Sequence, residues 1–291
     1  MIFIALAIST AFFYGLSTTF VRRGLVKSNF ISAAFVVTII GNIVFWSLTL
    51  LFVPLNLIDP VGVLLFALAG VLAPGLTRIS YILGMERLGA STNASVHAIN
   101  PVFGATAAII LLHEQPTIGT LAGTFCVICG AVLVATSIHS DNARPGGSVK
   151  AGLAFSLFAS ITYGLSFAVR KMGLNIYSEP IIGIALGYTM ALCIYTLMVT
   201  MSSSTRSIVS VNGHAFRLFW KAGVFQCTGW IMAFYAVMFG DVVVVNPLID
   251  TQPLFVFLFA HLYLKELETI TPKLVLGTII VIIGVTLISI Y

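Results

Sequence analysis

Residues Asn93 to Glu114, NASVHAINPVFGATAAIILLHE, are apolar enough to cross a bilayer, yet they carry Asn93, His97, Asn100 and a mid-helix Pro101. A helix places residues i, i+4 and i+7 on one face, so the three polar side chains share a face with Gly104. The pattern returns as Asn246 to Glu266, NPLIDTQPLFVFLFAHLYLKE. Pro101 maps onto Pro253, and Glu114 onto Glu266, at one offset of 152 residues. At that offset Asn100 meets Gln252 and Ala98 meets Asp250. One polar-faced membrane segment occurs once in each half, and the rest of the chain reads as built around that pair.

The setting is a membrane. Of 291 residues 59% are hydrophobic and 8% charged, with mean hydropathy +1.10, against about 25% charged in soluble domains. A spanning helix needs ~20 residues to cross ~30 Å of hydrocarbon. Open sheet edges cannot face lipid, and these apolar runs are too long for barrel strands. The expected fold is an all-α integral membrane bundle. Ten spans are expected, near 2–21, 31–53, 61–85, 91–112, 117–138, 151–170, 180–201, 217–239, 243–263 and 272–290. The third is broken by Pro74-Gly75. The first lacks a basic leader and a small-residue cleavage site, so it reads as a span and not as a removable signal.

Five spans precede a polar connector with Pro145-Gly146-Gly147, and five follow it. The expected organisation is a five-helix repeat at 1–138, a linker at 139–150 and a second repeat at 151–291. Tyr14-Gly15-Leu16-Ser17 recurs as Tyr163-Gly164-Leu165-Ser166, Arg22 meets Lys171, and Gly123 and Gly130 match Gly277 and Gly284. The offset drifts only from 149 to 154 across the halves. An odd number of spans per half makes the repeats inverted, an arrangement that secondary transporters use with a site at the repeat interface.

In order, the residues are Tyr-Gly-Leu-Ser opening each half, Leu88-Gly89-Ala90 before the fourth span, Pro101 within it, His113-Glu114-Gln115-Pro116-Thr117 after it, then Gly123 and Gly130. Lys265-Glu266 with Gly277 and Gly284 is the second-half version. The chain thereby resembles the EamA-like branch of the drug/metabolite transporter superfamily over nearly its whole length. The resemblance implies a ten-helix inverted-repeat fold with a cavity lined by spans 1, 3, 4, 6, 8 and 9. It also implies export or exchange of small metabolites or amino acids.

Arg78 is the sharpest single residue. Its guanidinium stays charged inside a protein, at a cost of ~2.5–3.5 kcal/mol or more in mid-bilayer. It reads as a clamp for a carboxylate or phosphate, or as the structural partner of Asp250. Asp250, on one face with Asn246, reads as that counter-ion, as a proton-coupling site or as a contact for an amino group. His97 can change charge near neutral pH and is the other coupling candidate, or an interhelical hydrogen-bonder. Asn100 and Gln252 occupy equivalent places and either line the cavity or bond between helices. Tyr14, Tyr81, Tyr163, Trp230 and Gln226 lie at cavity-facing depths if the family fold holds; for the aromatics, core packing is the competing reading. Glu114 and Glu266 read as hairpin elements at helix ends, and Glu86-Arg87 as a solvated pair. Cys126-x-x-Cys129 lies mid-helix without companion ligands, and with Cys193 and Cys227 reads as small core thiols; no metal or cofactor is expected.

The leading expectation is therefore a secondary transporter for a small polar solute, amino acids or other carboxylates among the candidates, in a cell inner (plasma) membrane, as a monomer or homodimer. It would work by alternating access, powered by a gradient or by exchange, since no Walker sequence is present. No basic run suits nucleic acid. A membrane enzyme acting on lipid would need an acid–base cluster near one interface, and a channel would need rings of like polar residues. Loops after odd-numbered spans carry eleven Lys and Arg, and the other side only Arg170 and Lys171, so the positive-inside rule places the termini outside.

Overall fold

The computed structural model describes residues 2–25, 28–54, 59–88, 96–137, 148–201, 213–252, 254–255, 258–259 and 272–290. The expectations for Asn93, Pro253, Lys265, Glu266, the Pro145-Gly146-Gly147 joint and most of the 202–214 loop fall outside them. The described chain is helical: α1 (Ile2–Leu25), α2 (Phe30–Phe52), α3 (Pro60–Gly70), α4 (Thr77–Leu88), α5 (Asn100–Leu112), α6 (Ile118–Ser137), α7 (Val149–Ile176), α8 (Pro180–Met201), α9 (Gly213–Phe239), α10 (Val242–Ile249) and α11 (Pro272–Ile290). Six helical stretches are long and apolar enough to span a membrane, and Asn100–Leu112, Ile118–Leu133 and Val275–Ile288 are shorter apolar ones. The helical membrane architecture read from hydropathy is the one that forms.

Local chemistry sets the helix ends. Asn29 accepts from Ser32 N at 2.9 Å to start α2, and Asp59 accepts from Val61 N and Gly62 N at 2.9 and 2.8 Å to start α3, each replacing a donor's missing helical partner. α5 ends where His113 turns left-handed (φ 56°), which sends Glu114 away from the helix axis.

Three boundaries differ from expectation, each for a physical reason. The sixth span does not stop at Arg170-Lys171; α7 runs on to Ile176 and ends ahead of Pro180. Both cations find partners inside the protein, so neither terminates the helix, and neither is a loop charge. Pro101 is not mid-helix. The chain turns at Ala98-Ile99, and Pro101 sits in the first turn of α5, where a missing N–H costs nothing. The ninth segment likewise breaks after α10, with a turn at Asp250-Thr251. The breaks match bond for bond: Ile99 N to Val96 O and Val102 N to Ile99 O in one, Thr251 N to Leu248 O and Leu254 N to Thr251 O in the other.

Packing shows how the halves relate. α1 lies along α9, α3 and α4 lie along α7, α2 along α8, and α6 along α11; exchanging the halves leaves this pattern unchanged. Gly24 receives the Phe219 ring as Gly173 receives that of Phe66. A Cβ on Gly123 would meet Gly284 O at 2.7 Å, one on Gly284 would meet Gly123 O at 2.7 Å, and Gly130 faces Gly277 O at the same distance. Residue numbers rise along α6 as they fall along α11, so this self-related pair is antiparallel. A two-fold that exchanges antiparallel spanning helices lies in the membrane plane, which makes the repeats inverted.

Large apolar side chains such as Leu50, Leu51, Ile110, Ile118 and Phe125 point outward, while the interior combines small Ala, Ser, Thr and Gly residues with buried aromatics such as Phe45, Phe66, Phe167 and Tyr188. The outward apolar face suits a lipid solvent, and the small residues allow the close backbone approach that drives association there. Of the four free cysteines only Cys227 is buried; Cys126 and Cys129 are half-buried and Cys193 faces outward, so core packing describes one of them. Gly123→Ala and Gly284→Ala are expected each to cost about 1–3 kcal/mol by overpacking the α6–α11 crossing. Thermal unfolding in detergent checks this, with the double variant less than additive because one crossing is disturbed twice.

Candidate functional site

The break in the third span builds the site. Between α3 and α4 the chain is kinked over Val71–Leu76, where Ala73 is extended (φ −146°, ψ 125°). Pro74 brings no N–H, and the loosened carbonyls need donors because hydrocarbon supplies none. The Thr77 N–H reaches Leu72 O and Pro74 O, and side chains supply the rest: Thr77 Oγ1 donates to Leu72 O at 2.8 Å, Arg170 Nη2 to Ala73 O at 3.3 Å, and Tyr195 OH to Pro74 O at 2.8 Å. Thr77 also pairs with Thr162 of α7 at 2.9 Å. The break is thus held by both repeats.

Beside it lies a cavity of about 310 Å³. Of the residues singled out above, Tyr14, Arg78, Tyr81, His97, Tyr163, Gln226, Trp230 and Gln252 line it. They come from α1, α4, the turn before α5, α7, α9 and the residues after α10, which are the spans the resemblance implied. Arg78 donates from Nη1 to Thr38 Oγ1 at 2.9 Å, and its electrostatic neighbours are the phenols of Tyr195, Tyr188 and Tyr14. It makes no ion pair with Asp250. Gln226 Oε1 accepts from Ser17 Oγ at 2.9 Å, and Gln252 Nε2 donates to Thr18 Oγ1 at 2.9 Å. The His97 ring stands edge-on to Tyr81 (centroids 4.9 Å apart) and 5.3 Å from Tyr163, with Nδ1 buried and unpartnered.

Asn100, Asn246 and Asp250 do not line the cavity. They lie behind it, where the turn before α5 meets the end of α10. Asn100 and Asn246 are wholly buried. Asn100 Oδ1, both side-chain polar atoms of Asn246 and Asp250 Oδ2 are buried without a hydrogen-bond partner. An orphaned buried polar atom costs about 1–3 kcal/mol, so this cluster is expensive as it stands.

Sequence reasoning missed Arg170. It is 1% exposed and stacks over Trp230 (4.4 Å), Phe167 (4.9 Å) and Phe234 (5.5 Å). The signal was available: Arg170 falls seven residues after Tyr163, on the helix face that the polar-aromatic residues of this span share. Next to it, Lys171 Nζ donates to Val237 O, Met238 O and Gly240 O at 2.8, 3.2 and 3.0 Å, closing the end of α9. Glu114 accepts from Val242 N and Val243 N at 2.9 and 3.0 Å and caps α10 from the other repeat. Burial pushes the Glu114 carboxyl above the ordinary carboxylate value, and those two N–H groups pull it back in part. At this end of the bundle Glu114 therefore ties the halves together, while Lys171 fastens α7 to the end of α9 within the second half.

Comparison with known proteins agrees with this geometry. Residues 1–136 and 150–290 each match the EamA-like transporter family. The chain belongs to that family. The EamA-like protein is accordingly a multi-pass membrane transporter of small solutes. A solved structure titled only "Crystal structure of protein" shares its fold, with TM-score 0.77 over 99% of this chain and 96% of that one at 13% identity. No curated protein matches the chain. Within the EamA-like fold, Tyr195→Phe is expected to leave Pro74 O with only the shared Thr77 N–H and to lower stability by about 0.5–1.5 kcal/mol, read as a lower melting midpoint with helix content unchanged below it.

Proposed function

We propose that this transporter carries small carboxylate-bearing solutes, amino acids among them, as an exporter or exchanger working by alternating access. The observation that carries the reading is Arg78: a permanent cation on the cavity wall, hydrogen-bonded to a neutral hydroxyl and, among the described residues, paired with no carboxylate. A guanidinium fork offers a carboxylate two parallel charge-assisted bonds. Tyr14, Tyr81, Tyr163 and Trp230 would enclose the apolar part of the cargo, and Gln226 and Gln252 would meet its polar groups.

The cavity extends from Tyr14 and Trp230 to Leu25 and Ala33, where α1 ends and α2 begins. That end carries the basic loops, so the positive-inside rule makes it cytoplasmic. The conformation is then open inward and closed outward, with Lys171 and Glu114 holding the closed end. By the repeat offsets the sequence equivalents of this pair are Arg22 and Glu266. Release of the Lys171 and Glu114 contacts would accompany the rocking step that alternating access requires. Of the two titratable groups considered for coupling, His97 reaches the cavity and Asp250 does not.

The test is cargo affinity. Thermal-shift screening against amino acids and organic acids identifies a ligand, and Arg78→Gln is then expected to weaken it about 10- to 100-fold, the loss of a bond of roughly 1.5–3 kcal/mol. Arg78→Lys should recover part, because an ammonium keeps the charge without the fork. Unchanged affinity in a folded Arg78→Gln protein removes the clamp.

A further inference from the structure

The cluster behind the cavity has a composition of its own. Asn246 and Asp250 are one helical turn apart, as are Asn100 and Gly104. The two faces cross: the Asn100 side chain is the polar neighbour of the Asp250 carboxyl, and Asn246 packs where a Cβ on Gly104 would be. Gly164 of α7 closes the third side, so tightly that a Cβ there would meet Gly104 N at 2.7 Å. Three oxygens in this crossing, Asn100 Oδ1, Asn246 Oδ1 and Asp250 Oδ2, are buried and accept no hydrogen bond.

The halves differ at this crossing. In the first half Asn100 Nδ2 donates to His97 O at 3.0 Å. At the equivalent place in the second half Gln252 turns its amide to Thr18 instead. Asp250 moreover caps the C-terminal end of α10, where the helix dipole is negative and a second negative charge is disfavoured. Neither Arg78 nor Arg170 pairs with it; their donor bonds go to Thr38 and Ala73. The site therefore gathers acceptors and negative potential, with Asn246 Nδ2 as its only orphaned donor among those three side chains.

We propose that this crossing binds a monovalent hard cation, Na⁺ in class, through Asn100 Oδ1, Asn246 Oδ1 and the Asp250 carboxylate. Oxygen-only ligands suit a hard ion, and interrupted spanning helices offer unwound carbonyls and half-helix C-termini to one. Buried water would meet single orphans but would leave the carboxylate charge at the helix end uncompensated. Bound there, the ion would tie the break after α10 to the break before α5, the two segments whose ends flank the cavity. That coupling role rests on the transporter reading; the binding does not, and it is measured without cargo.

The experiment is ²²Na⁺ binding to the purified full chain at fixed pH in choline chloride, with melting midpoints recorded against NaCl. Saturable binding at millimolar Na⁺ and a midpoint that rises with Na⁺ but not with choline are expected. Asp250→Asn should abolish both effects, Asn246→Ala should weaken Na⁺ about tenfold or more, and Thr106→Val, on the exposed face of α5, should change neither. Wild-type protein without saturable Na⁺ binding overturns the proposal whether or not the variants fold. So does binding that survives in Asp250→Asn. A midpoint that answers to pH and not to Na⁺ overturns it in favour of a proton on Asp250. Cargo affinity at Arg78 can stand or fall independently of each of these results.

Discussion

Hydrocarbon offers a backbone no hydrogen bonds, and that constraint governs where this chain is allowed to be irregular. Its spans are interrupted at Val71–Leu76, at Ala98-Ile99 and at Asp250-Thr251. At the first, Thr77, Arg170 and Tyr195 replace the missing donors; at the second, Asn100 and Ser160 do so. Irregular backbone survives at membrane depth only where protein encloses it or a cavity reaches it. The interruptions consequently converge on one region, and the cavity lies among them.

The inverted repeat is what brings them together. Antiparallel crossings at Gly123–Gly284 and at Gly24–Phe219 with its counterpart Gly173–Phe66 place each half's interrupted helices against the other half. Departures from the symmetry mark specialisation. Ala98 in one half is Asp250 in the other, and Ala94 is Asn246, so the orphaned oxygens gather on one side of the two-fold. Arg78 and Arg170 break it as well: Arg78 donates to Thr38 of α2, and Arg170 to Ala73 O inside the Val71–Leu76 break, which a single repeat supplies.

Much of this was legible in the residues. The duplication, the inverted topology and the family resemblance followed from offsets that drift by a few positions, because a repeat preserves spacing even where side chains change. Eight of the eleven proposed site residues line the cavity, since helical periodicity and a broken third span fix which faces turn inward. What was not legible depended on partners distant in sequence. Arg170 and Lys171 looked like a loop pair because a charge at a span's end usually meets water; the aromatic faces and free carbonyls that hold them belong to α9 and to the break. Pro101 looked like a mid-helix kink because the turn before it has no Gly and no polar cluster to announce it. Asn100, Asn246 and Asp250 were placed with the cavity because periodicity gives a face and not its depth.

The central claim is that a water-filled cavity between the repeats, with Arg78 on its wall, holds the cargo. Ala34 lines that cavity and takes no part in the polar contacts described. The most direct measurement is the rate at which a water-soluble thiol reagent modifies Ala34→Cys, with Cys126, Cys129, Cys193 and Cys227 replaced by serine or alanine. Modification from water, slowed in a saturable way by the carboxylate solute that most stabilises the protein, is the predicted result. A thiol that water does not reach, or a rate that the stabilising solute leaves unchanged, would contradict the account.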